Sequence, residues 1–341
     1  MTADRSASLL HENQQFLQFE LVLPRAFSTI PRTVAWRESQ RIRVTHGGND
    51  DHCATTFGLM TSSLQPSSLL SISVVAFHPD LALLEDTLMS AIAGLRRLNG
   101  LWRTMGCSAL GRVYLVDNGG TEVPPTWAAR LAEVGSELVV LRDHGNVGYG
   151  RGHNLAIERA DSQFHLVLNP DVIMEPDTLS LAIELMEQHA DVGLVVPEVR
   201  DPQGKLQFLC RRYPNVFDLL LRGFAPRSIR NVFANRLHRY EMRDAYEASE
   251  EIWDPAVVSG CFMFFRTNVL RALGGFDPRY FLYFEDYDLS LRTAKVARIL
   301  YSTRVRIIHY GGGAARKGGL HMRLFAASAI RFYNRFGWRW L

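Results

Sequence analysis

Four short stretches carry residues whose types and spacing could do chemistry. In "LVLNPDV" (166–172) an apolar run stops at Pro170 and presents Asp171. Asn-Pro-Asp is sound turn chemistry, so an ordinary strand-ending turn is one reading. The other is a metal ligand. A carboxylate and the oxygens of a diphosphate suit Mg²⁺ or Mn²⁺, and a cation there neutralises charge building on a departing diphosphate. In "YFEDYDL" (283–289), Glu285, Asp286 and Asp288 form either an acid-rich first helical turn or a general base. A carboxylate crowded by other acids and flanked by Phe281, Tyr283 and Phe284 is expected to have a raised pKa and to accept a proton. In "GYGRGHN" (148–154) the glycines are spaced two and two, which is not the dinucleotide fingerprint. That stretch is a strand–helix loop or a backbone nest facing a phosphate or sugar. His309 ends an apolar run before "YGGGAARK", which is structural or part of a phosphate-facing loop.

The elements that must position these residues follow from the apolar pattern. Runs at 71–77, 112–118, 137–142, 164–169 and 192–197 read as strands. Helical spacing over 81–99, a helix opened by Pro124 and Pro125, a helix near 153–160 and another over 176–189 fall between them. Alternating strands and helices with short connections predict a mostly parallel α/β sheet covered on both faces. Ligands of such sheets sit outside the carboxyl ends of the strands. Asp117, Gly148 to Asn154, and Asn169 to Asp171 all fall at such ends. After residue 200 the alternation breaks, leaving loops and basic helices over 205–245, a strand candidate at 257–266, a helix over 284–297, a strand or pair of strands ending at His309 and a last helix over 320–336.

Composition narrows the class. The chain has 341 residues and 47% hydrophobic content, enough for a normal core, and a net charge of only +3, which does not call for nucleic acid. Cys53, Cys107, Cys210 and Cys261 show no metal or disulfide spacing, which fits structural thiols in a reducing compartment. No run is long and apolar enough to span a membrane, and the N-terminus lacks a secretion-signal pattern, so a cytoplasmic location is expected. Residues 1–70 are polar and aperiodic; they read as an appendage with weak structure, or residues 1–59 as an extension misassigned ahead of a start at Met60.

In their order and spacing, "SISVV", "VYLVDNGG", "GNVGYGRGHNLAI", "LVLNPDV", "VSGCFMFFRTNVLRALGGFDPRYFLYFEDYDLSLR" and "IIHYGGG" resemble the family 2 glycosyltransferases, which have the GT-A fold. The rhamnosyltransferase-like branch that builds bacterial surface polysaccharides, O-antigen among them, is the nearest likeness, over about 71–340. The resemblance implies a GT-A domain at 71–317, with a donor half to about 200 and an acceptor half beyond. It implies that Asp117 reads the pyrimidine of a nucleotide-diphosphate sugar and that Gly148, Gly150 and Asn154 line the donor site. Asp171 becomes the second acid of the family's Asp-x-Asp metal motif, His309 approaches the metal or diphosphate, and Asp286 deprotonates the acceptor hydroxyl. The implied reaction is a single inverting displacement, with dTDP-rhamnose the preferred donor, a UDP-sugar the alternative, and a glycan or polyprenyl-diphosphate-linked glycan as acceptor. Two departures stand out. Asn169 replaces the first acid of the metal motif, and Phe77 with His78 replaces the usual end of the first strand, although Phe77 can still stack on a base. These departures keep open a non-catalytic nucleotide- or carbohydrate-binding relic. A nucleotidyltransferase is disfavoured, because "AFHPDLALLED" offers no glycine or lysine for a phosphate loop.

Two basic segments remain. Lys205 to Arg243 carries nine Lys/Arg residues against Asp218 and Glu241. The tail at 318–341 interleaves arginines with Phe and Trp, which suits either an interfacial helix or a docked helix with snorkelling arginines. Together they suggest an anionic membrane surface as partner, with peripheral binding on the inner face of the plasma membrane.

Overall fold

A computed structural model describes residues 68–104, 111–311 and 319–341. Residues 1–67, with Met60 and Cys53, lie outside the described residues, as do Cys107, Arg316 and Lys317. The strands are β1 (Ser68–Ala76), β2 (Gly111–Asp117), β3 (Ser136–Leu141), β4 (Ser162–Leu168), β5 (Val172–Met174), β6 (Val192–Arg200), β7 (Leu206–Gln207), β8 (Glu251–Trp253), β9 (Phe262–Arg266) and β10 (Arg298–His309). The helices are α1 (Leu81–Thr104), α2 (Pro125–Glu133), α3 (Tyr149–Ile157), α4 (Thr178–Gln188), α5 (Val216–Phe224), α6 (Arg227–Val232), α7 (Ala234–Tyr240), α8 (Arg243–Ala248), α9 (Thr267–Ala272), α10 (Glu285–Thr293) and α11 (Gly319–Phe336).

All ten strands form one sheet, in the order β3-β2-β1-β4-β9-β6-β10-β5, with β7 on β6 and β8 on β10. β1, β2, β3 and β4 run parallel, and β10 runs parallel to β6. β9 is antiparallel to both β4 and β6, so the two parallel sets point the same way. The expected α/β sheet is therefore present, with one reversed strand wedged into its middle. Phe262 to Phe265 are apolar because both neighbouring strands and both sheet faces bury them.

β1 shows how the sequence divides the two faces. Leu70, Ile72, Val74 and Ala76 join Leu84, Leu88, Ile92 and Leu95 of α1 in the main core. Asp80 starts α1, its carboxylate accepting the N–H groups of Ala82 and Leu83 at 3.0 and 3.3 Å. On the other face Ser73 bonds His153 of α3 at 2.7 Å and His165 of β4 at 2.9 Å, and Ser71 bonds His165 at 2.7 Å. Burial pushes both imidazoles down, so they sit in the core as neutral partners of serines.

α3 begins at Tyr149, four residues before the expected start, and so absorbs the glycine-rich stretch. Packing overrides the poor helix propensity of glycine here. A Cβ on Gly150 would meet Phe276 Cβ at 2.8 Å, and one on Gly152 would meet Val75 at 2.9 Å. Cys210 and Cys261 are buried free thiols, and burial pushes both up to about 12, as inert structural cysteines require. Among the described residues no helix is long and apolar enough to cross a membrane.

Candidate active site

The carboxyl ends of β1, β2 and β4 lie level, because Ala76 pairs with Asp117 and Val74 with Leu168. Phe77 follows β1 as an exposed ring, and a Cβ on Gly119 would touch it at 3.2 Å. Phe77 and the Asp117 turn therefore share one ledge. Asp117 is buried, and its Oδ1 accepts the N–H groups of Gly119 and Thr121 at 3.1 and 2.8 Å. Burial pushes its carboxyl up, but the bonds from Thr121 and Gly119 outweigh this and hold it below its ordinary value. Asn118 is a connector that sequence reasoning missed. Its Nδ2 donates to the Gly148 carbonyl at 3.1 Å and its Oδ1 meets His144 Nε2 at 3.0 Å, which ties the β2 end to the start of α3.

Two of the residues expected along the donor site turn to Phe276 instead. Asn154 brackets the Phe276 backbone, donating to its carbonyl and accepting its N–H, each at 2.8 Å. Gly150 packs on the Phe276 side chain. Gly148 has φ +87°, and a Cβ there would fall 2.3 Å from the Phe281 carbonyl oxygen. Its lack of a side chain lets the segment before Glu285 come against α3, where Tyr149 N–H donates to the same carbonyl at 3.1 Å.

Asn169, Asp171 and His309 do meet. Asn169 N–H donates to the Cys261 carbonyl at 2.9 Å, and Thr87 of α1 holds the Pro170 carbonyl at 2.9 Å, so the turn is fixed from both sides. β10 pairs antiparallel with β5, placing His309 opposite Val172 and its Nε2 3.5 Å from Asp171 Oδ1. Gln207, which the sequence did not mark, sets the ring. Its Nε2 donates to the His309 carbonyl at 2.9 Å, so its Oε1, 3.3 Å from Nδ1, must be an acceptor. Nδ1 then carries a proton, and the ring presents Nε2 to Asp171.

This cluster fits a divalent cation. The Oδ1 atoms of Asn169 and Asp171 are buried with no hydrogen-bond partner. A Cβ on Gly311 would fill the space between His309 Nε2, at 2.4 Å, and Asp171 Oδ2, at 2.8 Å. Buried carboxylate and amide oxygens beside an imidazole suit a cation that takes oxygen and imidazole ligands. Burial pushes the Asp171 carboxyl up, but His309 and Asn169 outweigh it and hold the group below its ordinary value, hence ionised at neutral pH. Among the described residues no three His, Cys, Asp or Glu side chains form a full ligand set. A cation held here would draw its remaining ligands from substrate and water.

The acidic stretch lies beside this cluster because β9 carries Gly260 and Cys261 to the same edge. Asp286 Oδ2 accepts the Gly260 N–H at 3.0 Å and Oδ1 accepts the Tyr287 N–H at 2.9 Å. Tyr149 hydroxyl donates to the Gly260 carbonyl at 2.7 Å. Burial raises the Asp286 carboxyl above its ordinary value, the direction expected for a base. The three acids differ. Glu285 is buried with Oε2 unpartnered, and burial followed by the Asp286 charge raises it as well. Asp288 is fully buried and bound to Arg292 at 2.5 Å and Arg335 at 2.7 Å, which makes it structural. The turn before them is strained: Tyr283 and Phe284 have φ of +72° and +64°. Left-handed backbone costs an ordinary residue about 1–2 kcal/mol.

Residues 87–274, more than half of the chain, match the model of the family described as glycosyl transferase family 2. The chain is 26% identical over 215 residues to the N-acetylglucosaminyl-diphospho-decaprenol L-rhamnosyltransferase of Mycobacterium tuberculosis, covering 58% of this chain and 66% of that one, just under two thirds of its length. It is 27% identical over 209 residues to the rhamnosyltransferase WbbL of Escherichia coli K12, covering 58% of this chain and 71% of the relative. The solved structure of GalNAc-T7 with UDP, GalNAc and Mn²⁺ shares the fold at a TM-score of 0.53 and 11% identity, over 78% of this chain and 48% of that one. The GT-A architecture, the ledge at the strand ends and the family match agree, and the chain belongs to glycosyl transferase family 2.

Proposed function

We propose that the chain moves one sugar, L-rhamnose from dTDP-rhamnose, to a hydroxyl of a glycan carried on polyprenyl diphosphate, with inversion at the anomeric carbon. The observation that carries this reading is the adjacency of two unlike groups across Gly260 and Cys261. One is the cluster of Asn169, Asp171 and His309. The other is Asp286, half-buried and raised. Phe77 offers an exposed ring for the base of the donor. Asp117 fixes the β2 turn beside it. A divalent cation at Asp171 and His309 would supply charge neutralisation for the departing diphosphate. Asp286, held by two backbone N–H groups, accepts the proton of the acceptor hydroxyl as it attacks. No covalent enzyme intermediate is needed, since a single displacement inverts the centre in one step.

The sugar and acceptor rest on the two rhamnosyltransferase relatives. The test is turnover of dTDP-rhamnose, against UDP-glucose and UDP-N-acetylglucosamine, with N-acetylglucosaminyl-diphosphopolyprenol as acceptor. The expected result is transfer from dTDP-rhamnose, reduced by about 10²–10⁴-fold in Asp286→Asn. Transfer unchanged in that variant contradicts the base assignment, and transfer only from a UDP-sugar contradicts the donor.

The same reading places the protein at the inner face of a membrane. α11 is docked: Phe332 and Tyr333 are buried and Arg335 pairs with Asp277 and Asp288. The residues after it run beside α5, where Val216 and Phe217 donate to the Arg339 and Trp340 carbonyls at 2.8 and 3.3 Å. Phe217 packs edge-on against Phe233, next to Val232. Leu220, Val232, Trp340 and Leu341 are exposed, as are Arg222, Arg227, Arg239 and Arg339. Such a surface suits anionic lipid, each basic residue adding about 1 kcal/mol near it. Co-sedimentation with phosphatidylglycerol vesicles should exceed that with phosphatidylcholine vesicles; equal binding contradicts the membrane reading.

A further inference from the structure

The turn that presents the acids is held from two sides. On one side Tyr149 N–H bonds the Phe281 carbonyl at 3.1 Å. On the other side the partners come from α11. Ser328 Oγ donates to the Leu282 carbonyl at 2.8 Å. His321 Nδ1 meets the Tyr283 hydroxyl at 2.8 Å. The Phe325 ring lies 5.7 Å from Tyr283 and 5.1 Å from Phe284, and Phe332 lies 5.2 Å from Phe284. Further along, Arg335 reaches Asp288 at 2.7 Å, one turn into α10.

Two consecutive aromatic residues at positive φ persist only where their surroundings over-determine them. The surroundings here are one helix whose inner face meets the turn residue by residue, at Leu282, Tyr283 and Phe284. We infer that α11 is the positioning element of the base: Ser328, Phe325 and His321 hold the turn at 282–284, with Tyr283 and Phe284 in the left-handed conformation, and so fix the direction of Asp286. The inference rests on the reading of Asp286 as the base. It assigns a catalytic purpose to a helix that lies outside the segment matched to the family model. Among the described residues α11 makes no hydrogen bond to Phe77, Asp117, Asn169 or Asp171, so its effect falls on the acceptor side of the reaction and not on donor binding.

The test uses the full chain with Ser328→Ala and Phe325→Ala, and with Ile330→Ala as a control at an exposed position of the same helix. Turnover of dTDP-rhamnose onto N-acetylglucosaminyl-diphosphopolyprenol should fall by about tenfold to a hundredfold in kcat, the cost of misplacing a reacting group, while the donor KM changes by less than about twofold. Amide hydrogen exchange should quicken at 283–289 and stay unchanged at 112–118. Ile330→Ala should behave as the parent. The inference is overturned if kcat holds, if donor KM rises in step with the loss, or if exchange at 283–289 is unchanged; the exchange arm needs no substrate. Should Phe325→Ala fail to fold, Ser328→Ala decides alone. Full turnover in Asp286→Asn sinks the base reading itself. An inactive Asp286→Asn beside a fully active Ser328→Ala sinks only the role of α11.

Discussion

Asp286 accepts two backbone N–H groups, whereas one oxygen of its neighbour Glu285 is buried without a partner. On the proposed function, the difference separates a base from a group that is easiest to bury protonated. Burial raises both carboxyls, so the folded protein holds more protons than the unfolded chain between the ordinary carboxylate value and the raised one. Stability should therefore fall as pH rises through that window, by about 1.4 kcal/mol per group for each pH unit that the window spans. Glu285→Gln removes its share of the fall. Denaturant unfolding of the parent and the variant from pH 5 to 9 should show a shallower decline for the variant; equal declines contradict a raised Glu285. Three acids in one turn are plain in the sequence, but nothing local ranks them. Only the family resemblance singles out Asp286. The separate fate of Asp288, tied to Arg292 and Arg335, depends on a helix more than thirty residues away in the chain.

At the scale of elements, the strands that bear Asp117 and Asp171 were legible because strands buried on both faces are written as continuous apolar runs. The helix carrying "GYGRGHN" was less so: its glycines look like a loop until Phe276, Val75 and the Phe281 carbonyl are seen pressing on them. Gly148→Ala makes the point testable. A side chain at φ +87° that also meets the Phe281 oxygen should lower stability by roughly 2–4 kcal/mol and displace the turn before Glu285. Thermal unfolding within a degree of the parent would contradict that close approach. The direction of β9 was not legible either. A short apolar run names neither its neighbours nor its sense. Yet its reversed insertion between β4 and β6 is what sets Gly260 and Cys261 between Asp286 and Asn169. In the same way, the meeting of His309 with Asp171 hangs on an antiparallel register between β10 and β5 that no local pattern encodes.

Over the whole molecule, one edge of the sheet gathers residues from β1, β2, β4, β9 and β10, while the docked C-terminal helix backs the acidic turn and an arginine-rich apolar surface lies around the tail. On the proposed function, the donor cluster and Asp286 adjoin each other and the tail surface would face the membrane, which suits transfer of a sugar to a lipid-borne acceptor. The claim on which the rest depends is that Asp171 and its neighbours hold a cation together with a nucleotide diphosphate. Thermal unfolding with dTDP, with Mn²⁺, and with both, on the parent and on Asp171→Ala, tests it directly. A ligand that binds only the folded state stabilises it by about 2.7 kcal/mol at a hundred times its Kd. The account predicts a rise with dTDP that Mn²⁺ enlarges in the parent and that Mn²⁺ no longer enlarges in Asp171→Ala. No rise with dTDP and Mn²⁺ together, or the same enlargement in the variant, would contradict it.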